Sequence, residues 1–274
     1  MFPIQFRLSN YKELSEKAIR DSAESLAVPN EAISSVVIAS DSDQDYAASI
    51  RQCRGHAGGG THSGGGAGKT VPYRHDDETV RSDVVYPAST LTALFCYSHD
   101  APTYLLSRYA IHHEFGHVVD YHARSALSPP PIHGNERTVV DYAPYYGPIL
   151  LSEFAACFLA GPVVTSRQFD AIAANSRGSI EDVAGQGQRF GNQLPWYILS
   201  QAVQVAGTAM GMRSGSRKPM VVRWTGIRDE SERELALFSQ ELGGLKAMYP
   251  AWDTVTCIAR LTDLCESFSK TLRC

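Results

Sequence analysis

Residues 103–127 read TYLLSRYAIHHEFGHVVDYHARSAL. The apolar residues of this stretch recur at helical spacing, which predicts one helix over roughly residues 103–125. Within that helix His113, Glu114 and His117 form the pattern H-E-x-x-H. Residues four apart lie one above the other on a helix face, so both imidazoles can reach a single Zn²⁺. The two histidines are therefore predicted zinc ligands.

The acidic residue of the pattern has a different predicted role. Glu114 lies about 100° around the helix from His113, which keeps it out of the same ligand set. It can still reach a water molecule held by the metal, take a proton from it and pass that proton to the leaving amine. The pattern thus predicts a zinc hydrolase with Glu114 as general base. The alternative is a buried helix whose histidines are solvated or hydrogen-bonded.

Two histidines leave one protein ligand of the zinc unassigned. His122 lies five positions after His117 and points away from the metal face. The longer metzincin pattern requires glycine and histidine where this chain has Asp120 and Ala123, so that class is excluded. Asp120 lies one turn beyond the ligands and is predicted to hydrogen-bond the free N–H of a ligand histidine. The alternative for Asp120 is a solvated or ion-paired helix acid.

The best candidate for the third ligand is Glu153. It lies in the otherwise apolar segment 149–160, ILLSEFAACFLA. A carboxylate in such a segment is costly unless it is paired or binds a metal. The chain between His117 and Glu153 is long enough to turn and return antiparallel to the first helix. The alternative is a carboxylate at a helix edge that faces water.

Two separated motifs, HEFGHVVD and YG-x5-EFAACF, resemble the gluzincin metallopeptidases of the anthrax lethal factor type. The resemblance is confined to residues 113–159. It implies that His113, His117 and Glu153 are the zinc ligands and that Glu114 is the general base. It also implies that Tyr146 hydrogen-bonds the oxyanion or the leaving group. The motifs are also similar to the ImmA/IrrE family of zincins, although the Asn-containing second motif of that family is absent.

Tyr146 also has a physical case of its own. A phenol near the metal can donate a hydrogen bond to a developing oxyanion. Tyr142 and Tyr145 are rivals in the same segment, and all three are also suited to ordinary packing.

Composition narrows the classes of function. The chain has 274 residues, 43% hydrophobic and 20% charged, with a net charge of −4, so no basic field indicates nucleic acid or an anionic membrane. The longest apolar candidate, residues 154–164, falls short of the roughly 18 residues of a membrane helix. The opening residues lack the apolar core of a Sec signal peptide. We therefore expect a cytoplasmic protein, or one secreted by another route.

The pattern along the chain predicts an α+β fold of zincin type. A small twisted sheet and the active-site helix form an N-terminal subdomain over residues 1–125, which includes a flexible Gly-rich loop at about 54–70. A helical C-terminal subdomain, residues 126–274, carries the third zinc ligand. The shorter predictions are strands at 34–40 and 84–86 and helices at 10–27, 149–160, 194–212, 229–247 and 251–270.

Three weaker signals remain. Residues 63–70, SGGGAGKT, approach a P-loop but have Ser63 where glycine is required, and a loop is favoured over a nucleotide site. Residues 84–86 are a candidate edge strand for pairing with an extended peptide, the alternative being an internal strand. The six cysteines form no C-x-x-C pair, which favours reduced, buried thiols, with a disulfide among the last three as the alternative.

The sequence therefore predicts a zinc metalloendopeptidase that hydrolyses peptide bonds of a specific protein target, in the manner of a toxin or effector protease. One alternative is an intracellular regulatory protease of the ImmA/IrrE kind that acts on a repressor. Another is a binding module that keeps the zincin fold without catalysis, which the intact Glu114 disfavours. The expected partner is a protein or peptide substrate, with neither nucleic acid nor membrane.

Overall fold

The computed structural model describes residues 2–6, 12–53, 67–75, 79–124, 142–184, 194–212, 229–251 and 254–273. Over these ranges the fold is α+β and mostly helical, with nine α-helices and one four-stranded mixed sheet. The chain forms two compact units, Met1–Thr138 and Val139–Cys274. The predicted boundary at 125/126 lies outside the described residues.

The first unit contains the sheet, whose strand order is β1-β2-β4-β3. β2 pairs in parallel with β1 and with β4, and β3 pairs antiparallel with β4. The strands are β1 (Ile4–Phe6), β2 (Ile33–Ala39), β3 (Lys69–Arg74) and β4 (Val80–Pro87). Pro72 lies in β3, and an edge strand tolerates proline because it can leave one side of its backbone unpaired.

Four helices of the first unit accompany the sheet: α1 (Lys12–Ser25), α2 (Asp43–Gln52), α3 (Ala88–Cys96) and α4 (Pro102–Ala123). Successive residues of a strand point to opposite faces, and β2 shows this directly. Val36 and Ile38 belong to a core with Phe115 of α4. Val37 instead belongs to a second core with Tyr46 of α2. Helix α4 thus lies against one face of the sheet and α2 against the other.

Helix α4 begins with Pro102 in its first turn, where the missing N–H of proline costs no hydrogen bond. Along the region of the H-E-x-x-H pattern the helix is buried on nearly all sides, from Ile111 to Val118. The predicted helix over 103–125 is confirmed.

The second unit is helical in its described parts, with α5 (Tyr142–Ala160), α6 (Ser166–Ala184), α7 (Leu194–Gly211), α8 (Asp229–Met248) and α9 (Thr254–Arg273). Helices α5 and α7 approach each other through glycine. A Cβ atom added at Gly207 would lie 2.8 Å from Cys157 Cβ and 3.0 Å from the main-chain oxygen of Phe154. These distances leave no room for a methyl group, so the helix backbones meet almost directly.

This close approach makes Gly207→Ala a destabilising substitution. We expect it to lower the free energy of unfolding by about 1–3 kcal/mol, because the methyl group overpacks the contact with α5. Gly244 of α8 is a matched control, since an added Cβ there meets nothing within 4 Å. Gly244→Ala should raise stability by roughly 0.5–1 kcal/mol through helix propensity. Urea unfolding followed by circular dichroism measures both values, and equal effects would contradict the packing argument.

Most of the predicted elements are present, and the errors fall in the first unit and after α5. The helix at 10–27 corresponds to α1, the strand at 34–40 to β2, and the four later helices to α5, α7, α8 and α9. Five of the described α-helices and strands were not predicted, namely β1, α2, β3, α3 and α6. The strand predicted at 84–86 lies within β4, and its internal alternative is the one observed, because β4 lies between β2 and β3.

The Gly-rich segment is described only at its end. Residues 54–66 of the predicted flexible loop lie outside the described residues. Lys69 and Thr70 begin strand β3, whereas a P-loop requires a helix at this point, so the structure also disfavours a nucleotide site.

Among the described cysteines none forms a disulfide: Cys53, Cys157, Cys257 and Cys265 are buried and Cys96 is exposed, while Cys274 lies outside the described residues. Among the helices of the described ranges, none combines the length and the apolar character needed to cross a membrane.

Candidate metal and catalytic site

Four aromatic rings follow one another at four-residue intervals along one face of α4. The rings of His113 and His117 lie 4.7 Å apart between centroids and are nearly perpendicular, at 83°. Tyr109 lies 5.9 Å from His113, and Tyr121 stacks on His117 at 5.7 Å. Both histidines are largely buried, with 9% and 6% of their surfaces exposed. The tyrosines therefore restrict the orientation of both imidazole rings.

The three residues predicted as zinc ligands come together. His113, His117 and Glu153 each offer one ligand atom, and these atoms all lie within 4.8 Å of one another. Two imidazole nitrogens and one carboxylate oxygen form a donor set that suits zinc and leaves a fourth position open. The residues present thus fit the metal that the sequence predicts.

Glu114 lies beside His113 in sequence, but its side chain contacts strand β3 and supplies none of the grouped ligand atoms. Its side chain is 7% exposed, and the Thr70 hydroxyl on β3 donates to its carboxylate oxygen Oε2 at 2.7 Å. Burial raises the pKa of the Tyr46 and Tyr86 phenols, and the nearby negative charge of Glu114 raises both further. Glu114 is therefore a buried carboxylate among neutral hydroxyl groups.

His112 precedes the H-E-x-x-H pattern and is buried. Burial, and then the positive charge of Arg108, lowers the pKa of His112 to about 4. His112 is therefore neutral at neutral pH and adds no positive charge beside the predicted ligands.

Asp120 forms a buried ion pair within α4. Its side chain is fully buried, and Arg124 Nε donates to Asp120 Oδ1 at 2.7 Å while Arg124 Nη2 contacts the other carboxylate oxygen. Arg124 belongs to no motif of the predicted zinc site, although its spacing of four residues from Asp120 is the usual signal of a helical ion pair. The structure thus shows the ion-paired alternative for Asp120, and the expected hydrogen bond from a ligand histidine stays a prediction.

The Asp120–Arg124 pair gives a stability prediction. Arg124→Met removes the guanidinium from a fully buried carboxylate, and we expect a loss of roughly 3–5 kcal/mol in the free energy of unfolding. Lys17→Met is the matched control, because Lys17 and Asp21 have the same spacing on α1 but are largely exposed. That variant should change stability by about 0.5 kcal/mol or less. Chemical denaturation of both variants tests the contrast, and a mild effect of Arg124→Met would argue against a dependence of Asp120 on this partner.

The predicted oxyanion residue, Tyr146, belongs to helix α5 by its backbone. Its side chain lies outside the described part of the structure, as do those of its rivals Tyr142 and Tyr145. The role of Tyr146 stays a prediction from the resemblance and from the chemistry of the phenol.

Comparisons with known proteins found no matching family model, no similar curated protein and no similar solved structure.

Proposed function

We propose that this chain is a zinc-dependent metalloendopeptidase of the gluzincin type, with a zincin-like first unit. The observation that supports this proposal best is the grouping of one ligand atom each from His113, His117 and Glu153 within 4.8 Å. The general base expected beside such a site, Glu114, is the next residue along α4 and is intact. A purely structural zinc site has no need of that carboxylate.

The proposed reaction is the hydrolysis of a peptide bond. Zinc held by His113, His117 and Glu153 would lower the pKa of a water molecule and polarise the scissile carbonyl. Glu114 accepts the proton of the attacking water and then delivers it to the leaving amine. Tyr146 is the proposed donor to the oxyanion of the tetrahedral intermediate. The Tyr109 and Tyr121 rings keep the two histidines oriented throughout.

The proposed substrate is an extended peptide segment of a protein. β3 is the last strand in the order of the described sheet, and it contacts the site through Thr70 and Glu114. An edge strand can bind an extended chain through main-chain hydrogen bonds, which gives affinity with little dependence on sequence. Selectivity for a target protein then requires side-chain contacts outside this strand.

Zinc content and zinc-dependent hydrolysis test the proposal together. We expect purified protein to contain about one zinc per chain, as measured by inductively coupled plasma mass spectrometry. It should cleave members of a library of internally quenched fluorescent peptides. Removal of zinc with 1,10-phenanthroline should abolish cleavage, and added zinc should restore it. His117→Ala should lose both properties.

Two results would contradict the proposal. The first is wild-type protein that binds no zinc under conditions in which it is folded. The second is cleavage that persists in the zinc-free protein or in His117→Ala.

A further inference from the structure

The contact between Thr70 and Glu114 joins two parts of the chain that are 44 residues apart. The Thr70 hydroxyl is 2.7 Å from Glu114 Oε2 and 3.0 Å from the main-chain oxygen of Glu114. Thr70 is 3% exposed, so water has little access to replace this hydrogen bond. Strand β3 is thus connected to the reactive end of Glu114 as well as to its backbone.

Between the two acceptors, the carboxylate is the stronger one. A threonine hydroxyl has a single proton to donate. The distance from the Thr70 hydroxyl to Oε2 is 2.7 Å, against 3.0 Å to the main-chain oxygen, so the contact with Oε2 has the better hydrogen-bond length. The carbonyl oxygen of Glu114 is also available to the hydrogen-bond ladder of α4. The Thr70 proton therefore belongs mainly to Oε2.

Gly68 forms a second constraint on the same side chain. A Cβ atom added at Gly68 would lie 2.6 Å from Glu114 Cγ and 3.0 Å from two ring atoms of Tyr86. The backbone just before β3 therefore packs directly on the methylene groups of Glu114. The preceding carbonyl, that of Ala67, accepts a hydrogen bond from the Thr90 hydroxyl at 2.7 Å, which connects this backbone to α3.

The same region of the sheet is also connected to α4. The phenol of Tyr86 on β4 donates to the main-chain oxygen of Ile111 at 3.2 Å, and its ring lies edge-on to Phe115 at 6.4 Å. β3 pairs with β4 in a register that places Thr70 opposite Val84. Thr70 is thus held relative to α4 by strand pairing and packing, and it does not depend on Glu114 for its position.

We propose that Thr70 is a positioning residue for Glu114, a role that rests on the proposed peptidase function. Its hydroxyl engages Oε2, and the Gly68 backbone confines the methylene groups, so Oε1 is the oxygen that exchanges protons. During hydrolysis the water oxygen bonds the carbonyl carbon while one water proton passes to Oε1. The carbon–nitrogen bond then breaks as that proton passes to the amine nitrogen. Thr70 keeps its own proton throughout.

Three substitutions test this role in the full-length, zinc-loaded protein. Thr70→Val keeps the shape of the side chain and removes the hydroxyl, and Thr70→Ser keeps the hydroxyl. Ser35→Ala is the matched control, because the Ser35 hydroxyl donates to the buried Asp83 carboxylate at 2.6 Å on the same sheet. It removes the same kind of bond without touching Glu114.

The expected results separate positioning from general stability. Thr70→Val should lower kcat about 10- to 100-fold, the usual effect of removing a group that orients a site residue. KM and zinc content should stay close to those of the wild type, because the hydroxyl is bonded to Glu114 and is not among the grouped ligand atoms. Thr70→Ser should restore most of kcat, and Ser35→Ala should leave kcat unchanged. Equal kcat in Thr70→Val and wild type would overturn the proposal while leaving the peptidase function intact.

A second measurement does not depend on activity. In zinc-free protein, Thr70→Val should lower the urea midpoint clearly in the wild-type background and much less in the Glu114→Ala background. Equal shifts of the urea midpoint in both backgrounds would contradict a stabilising hydrogen bond from Thr70 to the Glu114 carboxylate. If the wild type shows no zinc-dependent hydrolysis, the proposed function fails, and this comparison still decides whether Thr70 holds Glu114.

Discussion

Glu114→Gln is expected to abolish peptide hydrolysis while leaving zinc bound. Glutamine has the same shape as glutamate but cannot accept the proton of the attacking water. General acid–base catalysis usually contributes 10²- to 10⁴-fold, so we expect a loss of about 10³-fold or more in kcat. The amide oxygen of glutamine can still accept the hydrogen bond from Thr70, so the surroundings of the side chain should be preserved.

Three measurements make this prediction specific. Zinc content should remain at about one per chain, because Glu114 is not among the grouped ligand atoms. The urea midpoint should stay near that of the wild type, since one buried polar group replaces another of equal size. Loss of zinc in Glu114→Gln would show that this carboxylate binds the metal. Activity within tenfold of the wild type would show that another group serves as the base.

Glu153→Ala should weaken zinc binding by roughly 100-fold or more. Loss of a residue that only hydrogen-bonds a metal ligand usually lowers metal affinity 10- to 100-fold, and loss of a ligand itself should lower it further. The remaining protein ligands would be His113 and His117 alone. The backbone of α5 should tolerate the change. Alanine is the best helix former, and the substitution removes a carboxylate from an otherwise apolar helix.

Competition with a fluorescent zinc chelator measures this change in affinity. Glu181→Ala on α6 is the matched control, because Glu181 is an exposed carboxylate in a helix of the same unit. The control should bind zinc as the wild type does. Full zinc occupancy in Glu153→Ala at low zinc concentration would mean that the third ligand lies elsewhere. Unfolding of the zinc-free variant would instead point to a structural role for Glu153.

The parts of the site that the sequence could predict are those fixed by local periodicity. Helix α4 has a strong apolar pattern, and the positions of His113 and His117 on one face follow from helix geometry alone. Glu153 was predicted from its cost in an apolar helix, and it supplies a ligand atom to the observed group. In both cases the signal lies within one element and requires no knowledge of how elements pair.

The parts that escaped prediction depend on contacts between distant segments. Thr70 follows a Gly-rich stretch that resembles a P-loop more than a strand, and its partner lies 44 residues away. The six residues of β3 contain Pro72, and a proline argues against an internal strand. It does not indicate which strand an edge strand pairs with. The choice between an edge and an internal position for the strand at 84–86 stays open in the sequence for the same reason, because strand order is a long-range property. No local pattern distinguishes Val84 in a central strand from Val84 at an edge.

The glycine contact between α5 and α7 has a consequence for the direction of Glu153. A Cβ atom added at Gly207 would collide with Cys157, and one added at Gly211 would collide with the main-chain oxygen of Phe158. Two contacts about one turn apart fix the azimuth of α5 about its own axis. If the residues of α5 that meet α7 shifted by one position, every side chain of α5 would rotate by about 100° around the helix axis. These glycines therefore determine the direction in which the Glu153 carboxylate points. Larger residues at either glycine should therefore change the direction of Glu153 as well as the packing of α5 on α7.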